Sequence, residues 1–178
     1  VFTHLAEATP ADWAAIDRDR AHYDPAGALL SLHDALRGLP TYGYSVNVYD
    51  HTLQAASRAA RDGASDELVT AALLHDVADE LAPMNHGPAA AALLAPWVSA
   101  EVRWLLHHHS LFQNVLIARP AQAEEAARAW AAVSGHPAAA LTEHFCRSWD
   151  APAFDPGYDP LPVSELAAVV RRVVGPAR

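Results

Sequence analysis

The stretch VTAALLHDVADE (residues 69–80) limits how this chain can fold more tightly than any other segment. Leu73 and Leu74 belong in a core, yet His75 and Asp76 follow without a break, and Asp79 and Glu80 come a turn later. Burying an imidazole and a carboxylate together is costly unless hydrogen bonds or a cation compensate. Ser65 stands where a helix cap is wanted, with Asp66 and Glu67 where the helix dipole favours acids. The expectation is one helix from Ser65 to about Leu81, stopped by Pro83. On it Leu68, Ala72, His75 and Asp79 share a stripe, with Asp76 about 100° round from His75. Alone, a His–Asp pair reads most simply as structural: a capped or surface pair, or a satisfied core histidine.

The remaining periodicity is helical too. Thr9 caps a first helix over 10–20, with Pro10 at its first position. Further helices are expected over 27–37, over 46–61 (stopped by Gly63), over 85–94 and over 99–117. Others follow over 121–134 (closed by Gly135), over 138–148 after Pro137, and over 164–174. Residues 38–45 and the Pro- and Asp-rich segment 149–162 read as loops. No strand pattern and no internal repeat emerges, so the class is all-α, and 178 residues give one domain with room for a substantial core.

Composition narrows the function. A net charge of −9 argues against nonspecific binding to nucleic acid or acidic membranes. All twelve basic residues are Arg, so an anionic substrate group must be held by Arg, backbone N–H groups or a metal. No apolar run approaches the roughly 20 residues that span a bilayer. The N-terminus does not read as a signal peptide, and since the chain starts at Val1 an initiator Met or short leader is expected to be missing. Cys146, the only cysteine, suits a reducing cytoplasm and a buried apolar role.

The eleven histidines are an excess that needs a reason. His51 lies 24 residues before His75; His86 opens the next helix, with Asn85 as its expected cap; LLHHHSLF carries His107, His108 and His109; RSWD ends on Asp150. Three consecutive residues fan over about 200° of a helix, so at most two of the triplet face any one site. Imidazoles and carboxylates without thiolate favour iron, manganese, zinc or another divalent ion. His4, His22, His33, His136 and His144 are expected at the surface. Trp97, Trp104 and Trp149 are expected in the core, and Asp155 and Asp159 in turns.

The order H…HD…H…H…D over residues 42–159 resembles the HD-domain superfamily of metal-dependent enzymes. The resemblance implies a helical bundle around a metal centre, with the domain core at about 42–159. His51, His75, Asp76 and Asp150 match the single-metal set. The additional His86 and one triplet His resemble the dinuclear subset, in which Asp76 would bridge two metals. His109 is chosen because HHSLF is similar to the His-Ser-aromatic stretch of myo-inositol oxygenase relatives. The resemblance implies His51, His75 and Asp150 on one metal, and His86 and His109 on the other.

Two chemistries fit such a cage. Dinuclear HD proteins include phosphohydrolases acting on nucleotides or phosphate esters, where two metals clamp a phosphoryl group and generate hydroxide. The spacing and the final WD look more like the mixed-valent di-iron oxygenases, which use an Fe(II)/Fe(III) pair and O2 to cleave a C–C or C–P bond of a small hydroxylated substrate. The compact length is closer to the phosphonate-cleaving branch. That branch carries HDxxH and a Lys one turn past the last His ligand; here the positions hold Asp79 and Gln113. Asp79 would repel a phosphonate or phosphate unless protonated or metal-bound, and would suit an ammonium or hydroxyl group. Manganese or magnesium is the alternative metal, and a noncatalytic metal-binding scaffold is a third reading. The resemblance gives Tyr42 the role of capping the iron before substrate arrives and Ser110 that of a substrate hydrogen bond. Arg147 is the expected anion clamp. Oligomeric state is left open.

Overall fold

The computed structural model describes residues 2–175, and among them nine α-helices and no strand. They are α1 (Pro10–Arg20), α2 (Pro25–Ala35), α3 (Val48–Arg61), α4 (Asp66–Leu74), α5 (His86–Leu94), α6 (Ala100–Ile117), α7 (Ala123–Ala131), α8 (Ala139–Phe145) and α9 (Val163–Val173). The chain is all-α as expected, and no helix among the described residues is long and apolar enough to cross a membrane. Caps account for most boundaries. Thr9 and Asp12 form a reciprocal capping box on α1. Asp24 accepts the Gly27 N–H at 2.9 Å and starts α2 at Pro25, two residues earlier than the periodicity indicates. Asn47 accepts the Asp50 N–H at 2.9 Å and starts α3 at Val48 instead of residue 46. Gly63, at φ 77, takes the left-handed conformation just past α3.

Two helix expectations are corrected, and both corrections bear on the site. The helix from Ser65 ends at Leu74, not near Leu81. Beyond it the chain winds in tighter turns: the Val77 N–H reaches the Leu74 carbonyl at 3.2 Å and the Asp79 N–H reaches Asp76 at 2.9 Å. The His75 ring also meets the Ala72 carbonyl, at 2.9 Å. The α-helical stripe expected to run through His75 to Asp79 therefore stops at His75. Likewise, the helix expected over 138–148 ends at Phe145 and gives way to a π turn, Cys146–Asp150, closed by Ala151 N–H to the Cys146 carbonyl at 2.8 Å. Asn85 does precede α5, but its side chain makes no capping hydrogen bond.

α3 packs on α4, α5 on α6, and α4 on α9. The core holds Leu73, Leu74, Leu94, Leu105, Leu106, Phe145, Leu166 and Val170. Ala55, Ala56 and Ala59 are fully buried on α3, where small side chains let the neighbouring helices approach closely. Trp149 is buried, while Trp97 and Trp104 pack half-buried against the core.

His33 overturns its surface assignment. It is buried, and its Nε2–H donates to Thr52 Oγ1 at 2.9 Å while the Thr52 hydroxyl donates to the Tyr49 carbonyl. Burial pushes its pKa down to about 4, against the pull of Asp34. The ring therefore stays neutral in the fold while the unfolded chain protonates below the ordinary 6.5. Its stabilisation is complete above pH 6.5 and is lost as pH falls toward 4, amounting to roughly 3 kcal/mol. Denaturant titrations across this range should show that loss in the native protein and a smaller one in His33→Gln. Equal acid sensitivity of the two would sink the assignment.

Candidate metal centre

Five separate pieces of backbone bring six donor residues together. α3 supplies His51; the turn after α4 supplies His75 and Asp76; α5 starts on His86; α6 supplies His109; the π turn supplies Asp150. His51, His75, His109 and Asp150 are buried, each with no more than 1% of its surface exposed. The π turn matters because its wider winding shifts the direction of each later side chain. Asp150 is thereby aimed inward, while Trp149 packs in the core and donates to Asp62 at 3.1 Å.

The cluster has two halves that share Asp76. Oδ2 of Asp76 lies 3.5 Å from His51 Nε2 and 3.2 Å from His75 Nε2, while Oδ1 lies 3.4 Å from His86 Nε2 and 3.5 Å from His109 Nε2. Asp150 joins the first half, with Oδ1 at 3.2 Å from His51 Nε2 and 3.8 Å from His75 Nε2. His51, His75 and Asp76 form one group able to hold a metal ion, and Asp76, His86 and His109 form another.

The far side of each ring fixes its tautomer. Nδ1 of His51 meets the Ala153 carbonyl at 3.2 Å, His75 meets Ala72 at 2.9 Å, His86 meets Pro83 at 3.0 Å and His109 meets Leu106 at 2.8 Å. A carbonyl only accepts, so each Nδ1 carries the hydrogen and each neutral ring turns its Nε2 lone pair inward. Yet Nε2 of His51 stands 3.2 Å from Nε2 of His75, and His86 stands 3.2 Å from His109 in the same way. Lone pairs facing one another at that distance need a cation between them. Backbone carbonyls behind metal-facing imidazoles are also the usual way ligating histidines are oriented. The donor chemistry fits a hard or borderline cation.

Without a metal, a proton takes that part. Burial opposes protonation of His75, but Asp76 and Asp150 outweigh it and lift the ring to about 9. Burial likewise raises Asp76, and the surrounding imidazoles, His75 foremost, more than reverse this and hold it well below the ordinary carboxylate range. Asp150 is lowered in the same way, burial again being outweighed by His51 and His75.

The substrate-side residues expected from the sequence fall in different places. Asp79 is half-buried; burial and the charge of Asp76 raise its pKa, and its Oδ1 sits 3.4 Å from Nδ1 of His86, the edge turned away from the shared carboxylate. Ser110 Oγ is 3.1 Å from His86 Nε2, and Gln113 donates to Asp150 at 3.4 Å. Tyr42 is exposed, in the left-handed region at φ 49, and its hydroxyl donates to Glu80 at 2.8 Å. Arg147 lies over the Phe112 ring at 4.9 Å and forms no ion pair with the cluster's acids among the described residues. Of the triplet, only His109 faces the cluster. His108 stacks on Trp104 at 4.1 Å, and His107 and His108 line a separate cavity of about 790 Å³ with His136.

Three contributors lie outside the donor pattern of the sequence. Phe154, in the Pro-rich loop, stacks on His51 at 4.3 Å, and the neighbouring Ala153 carbonyl holds the same ring. Gly87 follows His86, and a Cβ there would sit 2.8 Å from the Leu106 carbonyl and 3.1 Å from Ser110 Oγ. Its missing side chain lets α5 approach α6 closely enough to bring His86 to His109. A glycine beside a ligand in the first turn of a helix is the one available signal; nothing in a Pro-rich loop marks Phe154. Gly87→Ala should weaken metal binding at the His86–His109 half and spare the His51–His75 half, as read by metal titration. Unchanged binding at both halves would show that the helices yield without cost.

No protein-family model matches the chain, and no curated protein matches it significantly. The fold and cluster are compatible with an HD-like helical domain.

Proposed function

We propose that this chain is an HD-type enzyme that holds two iron ions and uses O2 to cleave a C–P or C–C bond of a small hydroxylated substrate. The observation that carries the reading is Asp76, whose two oxygens face two different imidazole pairs, with all four imidazoles locked as Nε2 donors. An iron pair, when bound, supplies redox chemistry with O2 that no side chain of the chain offers. Asp76 and Asp150 balance its charge, and Gln113 steadies Asp150. Ser110, beside His86, is positioned to hydrogen-bond a substrate hydroxyl. Phe154 and Phe145, against His51 and His75, keep water from the far side. Tyr42, held by Glu80, lies on the loop that precedes α3.

A phosphate ester fits less well at this mouth. No arginine pairs with the cluster's acids among the described residues, so no side-chain cation is at hand to clamp a phosphate. The second reading, a dinuclear phosphohydrolase using manganese, magnesium or another divalent ion, draws support from Ser110 and Gln113 as two neutral donors beside the cluster. Aerobically purified protein should carry about two iron atoms per chain and give a mixed-valent EPR signal after partial reduction. Full activity with magnesium or manganese alone, with release of phosphate, would replace the oxygenase by the hydrolase. Failure to take up any metal on reconstitution would leave only a noncatalytic scaffold.

A further inference from the structure

A second cavity, of about 660 Å³, is lined by Tyr44, Leu111, Asn114, Ile117, Arg119 and Glu125, among others. Small-molecule sites measure roughly 300–1,000 Å³. Two independent connections join this cleft to the metal centre. The Tyr44 ring stacks on Phe154 at 5.0 Å, and Phe154 stacks on His51 at 4.3 Å. On α6, Asn114 stands one turn beyond Ser110, and Ile117 one turn beyond Gln113, so the side that bears the substrate-facing groups continues into the cleft. Arg119 and Glu125, both exposed, also line the cleft, and neither forms an ion pair with the other or with any described residue. Four other arginines are ion-paired: Arg37 with Asp34, Arg128 with Glu124, Arg171 with Asp24 and Arg172 with Asp66. Two opposite, unpartnered charges with the Asn114 amide on the same helix as Ser110 and Gln113 suit a ligand that carries both charges itself.

We propose that this cleft, lined by Tyr44, Asn114, Arg119 and Glu125, is the recognition subsite for an amino-acid-like tail of the substrate, with the carboxylate on Arg119 and the ammonium on Glu125. The hydroxyl-bearing end then reaches the metal centre along α6, over a span on the order of 10 Å from Gln113 to Arg119. The assignment rests on the cluster being the reaction site, but not on which metal it holds. An anion recognised at Arg119 is also held away from the cluster's own carboxylates, Asp76 and Asp150.

Calorimetric binding to the metal-loaded protein tests it with ε-hydroxynorleucine and three relatives: the hydroxy acid lacking the amino group, the amino alcohol lacking the carboxylate, and the simple alcohol lacking both. The zwitterion should bind tightest. Arg119→Gln should cost about tenfold for the zwitterion and the hydroxy acid and leave the amino alcohol unchanged. Glu125→Gln should cost about tenfold for the zwitterion and the amino alcohol and leave the hydroxy acid unchanged. Equal binding of all four probes, or no probe bound, overturns the proposal, as do variants that bind like the native chain. Repeating the series with manganese in place of iron separates the two readings. A charge pattern that survives the change of metal supports the subsite even where the iron chemistry fails.

Discussion

Asp76→Ala should abolish metal binding at both halves of the cluster, the largest single effect expected of any substitution here. Each half keeps its imidazoles but loses the one carboxylate that both share, and the facing Nε2 lone pairs of His51 with His75, and of His86 with His109, remain 3.2 Å apart. The comparison with one-sided variants makes the test sharp. Asp150→Ala touches only the first half, because its Oδ1 lies against His51 and His75. His109→Ala touches only the second. Elemental analysis after reconstitution should therefore rank the native chain first, the one-sided variants in between and Asp76→Ala last. An Asp76→Ala protein that keeps one metal at full occupancy would show that the carboxylate serves one half alone. Circular dichroism on each variant guards against loss through misfolding.

The second large effect is a steep dependence of metal affinity on pH. His75 in the metal-free protein is lifted to about 9 from its ordinary 6.5. A group raised in the folded state stabilises that state fully below 6.5 and loses the contribution as pH climbs through 9. A metal needs the same nitrogen unprotonated, so it must displace that proton. Affinity should rise by about tenfold per pH unit between 6.5 and 9 for the one proton released, then level off. Asp76 and Asp150 are both held below the ordinary carboxylate range and stay ionised across this window. Metal titrations in buffers of different ionisation enthalpy would count the proton directly; an affinity flat across the window would refute the competition.

The cluster is legible in the sequence because imidazoles and carboxylates interrupt the apolar pattern on successive helical segments that a bundle packs side by side. All six residues expected as donors, His51, His75, Asp76, His86, His109 and Asp150, converge. Local backbone geometry is the part that periodicity hides. Periodicity carries α4 past Leu74 because Val77 and Ala78 are apolar, whereas the chain there winds in tighter turns, Val77 N–H to Leu74 and Asp79 N–H to Asp76. The π turn that aims Asp150 has no signature in residue type, since its residues are common in ordinary helices. His33 reads as a surface residue because its partner, Thr52, lies 19 residues away on another helix. Asp79 faces substrate only if one continuous helix carries it; the tighter turns set it behind His86. Arg147 goes to Phe112 for a similar reason, because the expected α-helix there is a π turn.

The first half of the cluster draws its donors from His51 and from Asp150, at opposite ends of a loop of 99 residues counted from one position to the other (150 − 51). The same imidazole also reaches Ala153 across 102 residues. An ion bound there would act as a reversible cross-link in a chain whose single cysteine permits no internal disulfide. Closing a loop of that length removes conformational freedom mainly from the unfolded chain, an effect of about 4–5 kcal/mol for a covalent link of similar span. Resistance to slow unfolding, and to the proteases that wait for it, would then track the supply of metal rather than the quality of the apolar core.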